Sequence, residues 1–220
     1  MKQYTVLRAR ATPELDGAWD GPAWAAVPVV EVDHFHAEGQ DHCPRTQAKM
    51  VHDDAGVYVI FQVQDQYVRC VETKRQGPVC RDSCVEFFVE PVPGRGYFNF
   101  EINCGGTLLL HYNAQPAGVH YAPKLLNGED LDQVRIYHSM PRVVEPELHG
   151  PVTWRIEFFA PYELFEACAG PARPEAGTVW RGNFYKCGDE TSHPHWGMWN
   201  PIPGPLGFHR TEYFAPLIFA

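Results

Sequence analysis

Apolar and polar residues alternate with a period of two over much of the chain, the pattern of strands that bury one face. In CVEFFVEP (84–91), Val85, Phe87 and Val89 share one side, and Glu86, Phe88 and Glu90 share the other. YFNFEIN (97–103) sets Phe98, Phe100 and Ile102 against Tyr97, Asn99, Glu101 and Asn103. VTWRIEFF (152–159) turns Trp154, Ile156 and Phe158 inward and Arg155 and Glu157 outward. VYVIFQVQD (57–65), RGNFYKC (181–187) and EYFAPLIF (212–219) complete the predicted strands. Turn-forming residues separate them at HDDAG (52–56), PVPGRG (91–96) and NCGGT (103–107), each read as a hairpin connection. APYELFEACAG (160–170) is the predicted helix, with Pro161 near its start and Gly170 after its end. Residues 115–132 and 169–177 read as long loops. Closely spaced strands with so little helix predict an all-β fold: an antiparallel β-sandwich of the immunoglobulin-like or jelly-roll two-sheet type with one short helix. With no internal repeat and no rich linker, a single domain over residues 1–220 is expected.

A hydrophobic fraction of 45% with six Trp supplies a core. The net charge of −9, from 18 basic and 27 acidic residues without a Lys/Arg run, argues against a nucleic-acid partner. No segment reaches the roughly 18 apolar residues of a membrane span, and MKQYTVLRAR has no continuous apolar core of a leader. The expectation is a cytoplasmic protein away from membranes, or a secreted one if a leader has been lost. Seven cysteines at irregular spacing (Cys43, Cys70, Cys80, Cys84, Cys104, Cys168 and Cys187) predict reduced thiols. Cys80 and Cys84 lack a second pair at zinc-knuckle spacing, and Cys84 reads as a small core residue.

The polar sides of the strands collect Glu86, Asn99, Glu101, Asn103, Arg155, Glu157, Arg181, Asn183 and Tyr185. Carboxylates, amides and guanidinium groups form planar hydrogen-bonding arrays suited to neighbouring sugar hydroxyls. A solvated sheet face with ordinary cross-strand ion pairs accounts for the same residues. Nucleophilic catalysis lacks its motifs: there is no GxSxG and no Cys visibly paired with a His. Glu86 with Glu101, or Glu101 with Glu157, offers the carboxylate pair of a glycoside hydrolase, the alternative enzymatic reading. DHFH (33–36) and HPHW (193–196) carry His-x-His, and His193 with His195, near Asp189, Glu190 and His209, gives a metal-dependent alternative. Loop histidines beside Pro194 and Trp196 equally suit turn capping. Asp16, Asp53 and Asp54 are oxygen donors for calcium or caps of their own turns.

The order of motifs resembles that of the family 9 carbohydrate-binding modules and the family-9-like domains related to them. ELDGAWDGPAW (14–24) is similar to the family's opening, AKMVHDDAGVYVIFQVQD (48–65) to its strand–turn–strand, and RDSCVEFFVEP (81–91) with YFNFEIN to its Val-Glu and Asn-bearing strands. WRIEFFAPYELF (154–165), RGNFYKC, WGMWNP (196–201) and FHRTEYFAPLIF (208–219) follow in family order, so the resemblance covers nearly the whole chain. It implies a β-sandwich that binds sugars without transforming them, often beside calcium; a saccharide or glycoconjugate is the expected partner, and whether a catalytic domain lies on another chain is left open by the sequence. By position it places the family's sugar-bonding Glu on Glu86 and one stacking aromatic on Phe208. The family's Arg falls on Glu101, reversing the charge; its Trp before the Val-Glu pair is missing; and its closing Phe-Gly is Phe214–Ala215. Tyr67, Tyr185, Trp196 and Trp199 are candidate replacements for the missing aromatic, with Trp196 preferred because Trp199 matches a family core residue. The expected sugar site is therefore Glu86, Glu101, Asn103, Arg181, Asn183, Tyr185, Trp196 and Phe208, with Arg181 supplying the guanidinium that position 101 lacks.

Overall fold

The predicted strands form, and several run further than their alternation reaches. The structure, a computed structural model, describes residues 2–39, 41–114 and 122–220. Its strands are β1 (Tyr4–Arg8), β2 (Val30–Val32), β3 (His34–Phe35), β4 (Arg45–His52), β5 (Gly56–Cys70), β6 (Cys84–Glu90) and β7 (Gly96–Asn103). They continue as β8 (Leu108–Ala114), β9 (Ala122–Leu125), β10 (Arg135–His138), β11 (Val144–Pro161), β12 (Val179–Cys187), β13 (Trp196–Met198) and β14 (Ala215–Phe219). One layer runs β10-β11-β5-β4, the other β14-β12-β6-β7-β8-β9, and β1 joins them. Residues Tyr4, Thr5 and Val6 pair with β14, while Leu7 and Arg8 pair with β4, both in parallel. The sandwich is therefore mixed at this seam, because one strand gives half its length to each layer.

The inward faces are those the alternation predicts. Phe87, Phe98, Phe100 and Ile102 from one layer and Phe61, Trp154, Ile156 and Phe158 from the other form the main core. Phe100 and Phe158 stack across it with ring centroids 5.4 Å apart. α2 (Tyr162–Ala169) sits at the predicted place and sends Phe165 into the same core, against Phe98 and Trp180. α1 (Gly128–Asp132) lies within the stretch read as a loop, started by an Asn127–Asp130 capping box that a short polar segment hides from periodicity. Strand β9 also lies in that stretch, whereas residues 115–121 are outside the described ones. All three predicted turns close hairpins (β4–β5, β6–β7 and β7–β8). In the last, Gly106 takes φ +83°, where a Cβ would lie 2.4 Å from the His138 ring, so the turn requires glycine.

The outward faces are covered rather than solvated. Phe88, Tyr97 and Tyr185 lie on the outer side of β6, β7 and β12 and pack against Met198, Ile202, Phe208 and Phe214. Across the sandwich, Tyr58, Ile60 and Phe159 pack against Trp19 and Trp24 of the N-terminal segment. Large apolar residues among polar ones on both outer faces hold these roofs in place by removing their area from water. Each roof buries the polar residues it crosses.

Candidate functional site

Register aligns the outer-face residues in rows. Tyr185, Glu86 and Glu101 face one another across β12, β6 and β7. Cys187, Cys84 and Asn103 form the next row on the same face, and Asn183, Phe88 and Asn99 the row on the other side. Over the Glu86–Glu101 row, beneath the roof, opens a cavity of about 230 Å³. Its floor holds Glu86, Glu101 and Cys187; its walls hold Cys80, Asp189 and Trp196 on one side and Leu206, Gly207, Phe208 and His209 on the other.

Each wall group is held by a specific contact. Glu86 is 3% exposed and its Oε1 accepts from the Cys187 thiol at 3.1 Å. Glu101 is 6% exposed and its Oε1 accepts from Asn99 Nδ2 at 2.8 Å, while Asn99 Oδ1 accepts from Asn113 Nδ2 at 2.6 Å. The Oε2 atoms of both glutamates have no hydrogen-bond partner among the described residues. Asp189 Oδ1 accepts from Trp196 Nε1 at 2.7 Å, which fixes the indole edge. Phe208 stacks on Tyr185 (4.2 Å between centroids, 13° between planes), and its carbonyl accepts from the Tyr185 hydroxyl at 3.1 Å. His209 Nδ1 and the Tyr97 hydroxyl are 2.6 Å apart.

Burial governs the charges here. It pushes the Glu86 carboxyl well above the usual carboxylate range, and the neighbouring Glu101 adds to the shift. Glu101 is raised to about 7, chiefly by burial and against the bond from Asn99. Asp189 is raised by burial as well, against the bond from Trp196. Burial lowers His209, favouring its neutral form. Among the described residues, three carboxyl groups thus line the cavity and no lysine or arginine contributes to it. The open Oε2 atoms can accept from hydroxyl or ammonium donors, and a protonated carboxyl can also donate.

Of the expected sugar-site residues, Glu86, Glu101, Trp196 and Phe208 come together, and Tyr185 lies fully buried beneath Phe208. Three do not join them. Arg181 is four residues from Tyr185, about 13 Å along a strand. Its guanidinium donates to Glu90 Oε2 at 3.5 Å and to the Thr211 and Phe214 carbonyls at 3.1 Å, so it pins the roof and leaves position 101 uncompensated. Asn183 exchanges hydrogen bonds with the Asn200 backbone at 2.9 Å in both directions, fastening the start of the roof. Asn103 Nδ2 donates to Asp82 and the Glu72 carbonyl, and Oδ1 accepts from Thr107 N, which organises the β7–β8 turn. Glu157 belongs to the other outer face, accepting from Gly17 N and Trp24 Nε1, so it cannot pair with Glu101. Trp199 is core, and Tyr67 stacks on His193 at 3.7 Å, away from the cavity.

The histidine pair does not fit a metal. His195 Nε2 accepts from Lys186 Nζ at 2.6 Å and Nδ1 donates to the His193 carbonyl at 2.8 Å, so both nitrogens are engaged and one abuts a cation. Burial, then Lys186, pushes His195 down to about 3. Lys186 also lies 3.8 Å from Asp65, which accepts from His42 Nε2 at 2.7 Å, so the buried set is closed by protein partners. The calcium candidates do not converge either. Asp53 Oδ1 accepts from Ala55 N and Gly56 N and its Oδ2 from Tyr58; Asp16 caps Ala18 N; and Asp54 pairs with Arg8. Asp16 and Asp53 do turn chemistry, and Asp54 is taken up by an ion pair. Cys84, Glu86 and Cys187 do bring donor atoms within 4.8 Å of one another, all buried. Cys80 and Cys187 are not in the expected site, and Asp189 and His209 are expected only near a metal. For Cys187 and Asp189 the signal was the i, i+2 series from Tyr185; the loop residues Cys80 and His209 carried none.

The sequence profile of carbohydrate-binding family 9 matches residues 23–219. A crystal structure from Bacteroides uniformis ATCC 8492, described as a candidate carbohydrate-binding protein, is 28% identical and superposes with a TM-score of 0.86 over 100% of this chain and 99% of that one. A family 9 module from Caldicellulosiruptor kristjanssonii in complex with cellotriose superposes with a TM-score of 0.66 at 13% identity, over 99% of this chain and 93% of that one. Its complex with glucose gives 0.64 at 12% identity, over 98% and 95%. Among curated proteins, none matches the chain.

Proposed function

The chain belongs to carbohydrate-binding family 9, and on that premise we propose that it is a non-catalytic module holding a sugar residue in the Glu86–Glu101 cavity. The observation that carries the placement is the pair of buried carboxyls, each with an open Oε2, on the floor of a cavity walled by Phe208 and Trp196. Small polar ligands are held in this way, by a few convergent polar groups between apolar walls. The sugars named for the Caldicellulosiruptor complexes, cellotriose and glucose, make a glucose-type ring the first ligand to try. A second cavity of about 240 Å³ under residues 11–24 is less suited: Asp16 and Trp24 Nε1 are already engaged there.

The hydrolase alternative is disfavoured by geometry. A glycosidase sets its two carboxyls on either side of the scissile bond, about 5–9.5 Å apart. Glu86 and Glu101 are direct neighbours on adjacent strands of one floor, so both would reach a sugar from the same side. We read the module as serving a glycan-active domain on another chain. A reducing, cytoplasm-like compartment suits its seven free cysteines.

A glycan array followed by calorimetry tests the binding reading, together with a chromogenic glycoside panel. Binding that Phe208→Ala weakens, without turnover, supports it. Turnover lost in Glu86→Gln, or no binding by folded protein across the array, contradicts it.

A further inference from the structure

The cavity has an uncompensated excess of acid. Glu86 and Glu101 lie opposite each other with Asp189 in the wall, and among the described residues no lysine or arginine lines the space. The nearby cations are engaged elsewhere. Lys186 points to the other side of β12, against His195 and Asp65; Arg181 is held by Glu90 and the roof carbonyls; and Arg81 pairs with Glu190 at 3.2 Å. Buried charges in folded proteins are paired or neutralised, because an unpaired ion costs much more out of water. In the free protein a retained proton does this, as the raised Glu101 shows. A ligand can do it instead, and the two open Oε2 atoms are where its positive group would sit.

We infer that the sugar this cavity selects carries a protonated amine: a hexosamine residue with a free amino group, its ammonium between Glu86 and Glu101. This rests on the reading of the cavity as the sugar site. A neutral hydroxyl at the same position offers one donor and leaves the carboxyls to be neutralised by the proton they retain. An ammonium offers three donors and takes the place of the retained proton, with charge-assisted bonds to both carboxylates. An N-acetyl group removes the charge and adds bulk over a small floor. Trp196 and Phe208 supply apolar walls for the ring and account for a cavity larger than a bare cation needs.

The test is calorimetry or ligand-observed NMR at pH 7 on chelator-treated protein. The panel is glucose, glucosamine and N-acetylglucosamine, with the corresponding galactose and mannose series, so that only the C2 group differs within each. In at least one series the free amine binds about tenfold or more tighter than both counterparts, as one charge-assisted contact allows. In Glu101→Gln that advantage falls below about threefold. Glu86→Gln repeats the measurement should the first variant fold poorly by circular dichroism. Neutral or N-acetyl sugars binding as tightly as the amines, in a manner sensitive to Phe208→Ala, overturns this inference and leaves the sugar site standing. Silence across the whole panel from folded protein overturns both.

Discussion

Glu86 and Glu101 are direct cross-strand partners on β6 and β7, two carboxyls set opposite each other under one roof. Like charges in that relationship destabilise a sheet. Nothing in the packing of the strands requires acid at either position, since Phe87, Phe100 and their neighbours on the inner side already hold β6 to β7. The arrangement costs stability, and the sugar site proposed above gives the pair a function.

The cost has a pH signature. Glu101 holds its proton in the folded state up to about 7, above its ordinary value of 4.5. Between those values the folded chain binds the proton that the unfolded chain has lost, so this contribution is present below about 4.5 and declines as pH rises to 7. Urea unfolding of the unliganded protein should show stability on the order of 2 kcal/mol lower at pH 7.5 than at pH 5 from this group. Glu101→Gln should flatten that slope. An equal slope in the variant would assign it to other groups.

Arg181→Ala separates the roof from the site. Its guanidinium bonds Glu90 and the Thr211 and Phe214 carbonyls and does not line the cavity. Stability should fall by about 1–3 kcal/mol, the range for charge-assisted bonds, while sugar affinity per folded molecule stays within about twofold. A large affinity loss with little change in stability would return Arg181 to the site.

Phe208→Ala should act on both. Phe208 is 8% exposed, stacked on Tyr185 and part of the cavity wall. Removing it costs about 3 kcal/mol of stability as a core truncation and lowers sugar affinity about tenfold. Phe208→Leu keeps most of the volume and should recover the stability more fully than the affinity.

Calcium should matter little. Asp16, Asp53 and Asp54 are spent on turn amides, Tyr58 and Arg8. The melting temperature should move by less than about 1 °C between excess chelator and millimolar calcium. A rise of several degrees with calcium would mean that a site forms from residues other than these.

Much of the inner architecture could be read from alternation alone. Val85, Phe87, Phe98, Phe100, Trp154 and Phe158 all point into the main core as their spacing predicts. The site was legible only in part, because alternation assigns a face without saying what covers it. Arg181, Asn183 and Glu101 share an outer face, yet register puts Arg181 two rows from Tyr185, and the roof claims both Arg181 and Asn183 as anchors. Glu157 shows the same limit on the other layer, where Trp24 covers it. Glu86 and Phe208, the two positions to which the family resemblance pointed, line one cavity, and both depend on positions along the chain rather than on register. The mixed seam at β1 was hidden because a five-residue strand that serves two layers has no distinctive pattern.

The most direct test is a crystal structure of the protein grown with whichever saccharide binds tightest. One sugar ring is expected in the cavity against Phe208 and Trp196, with polar groups of that ring on Glu86 Oε2 and Glu101 Oε2. A ring bound elsewhere, such as under residues 11–24 beside Trp24, with the Glu86–Glu101 cavity holding only solvent, would contradict it.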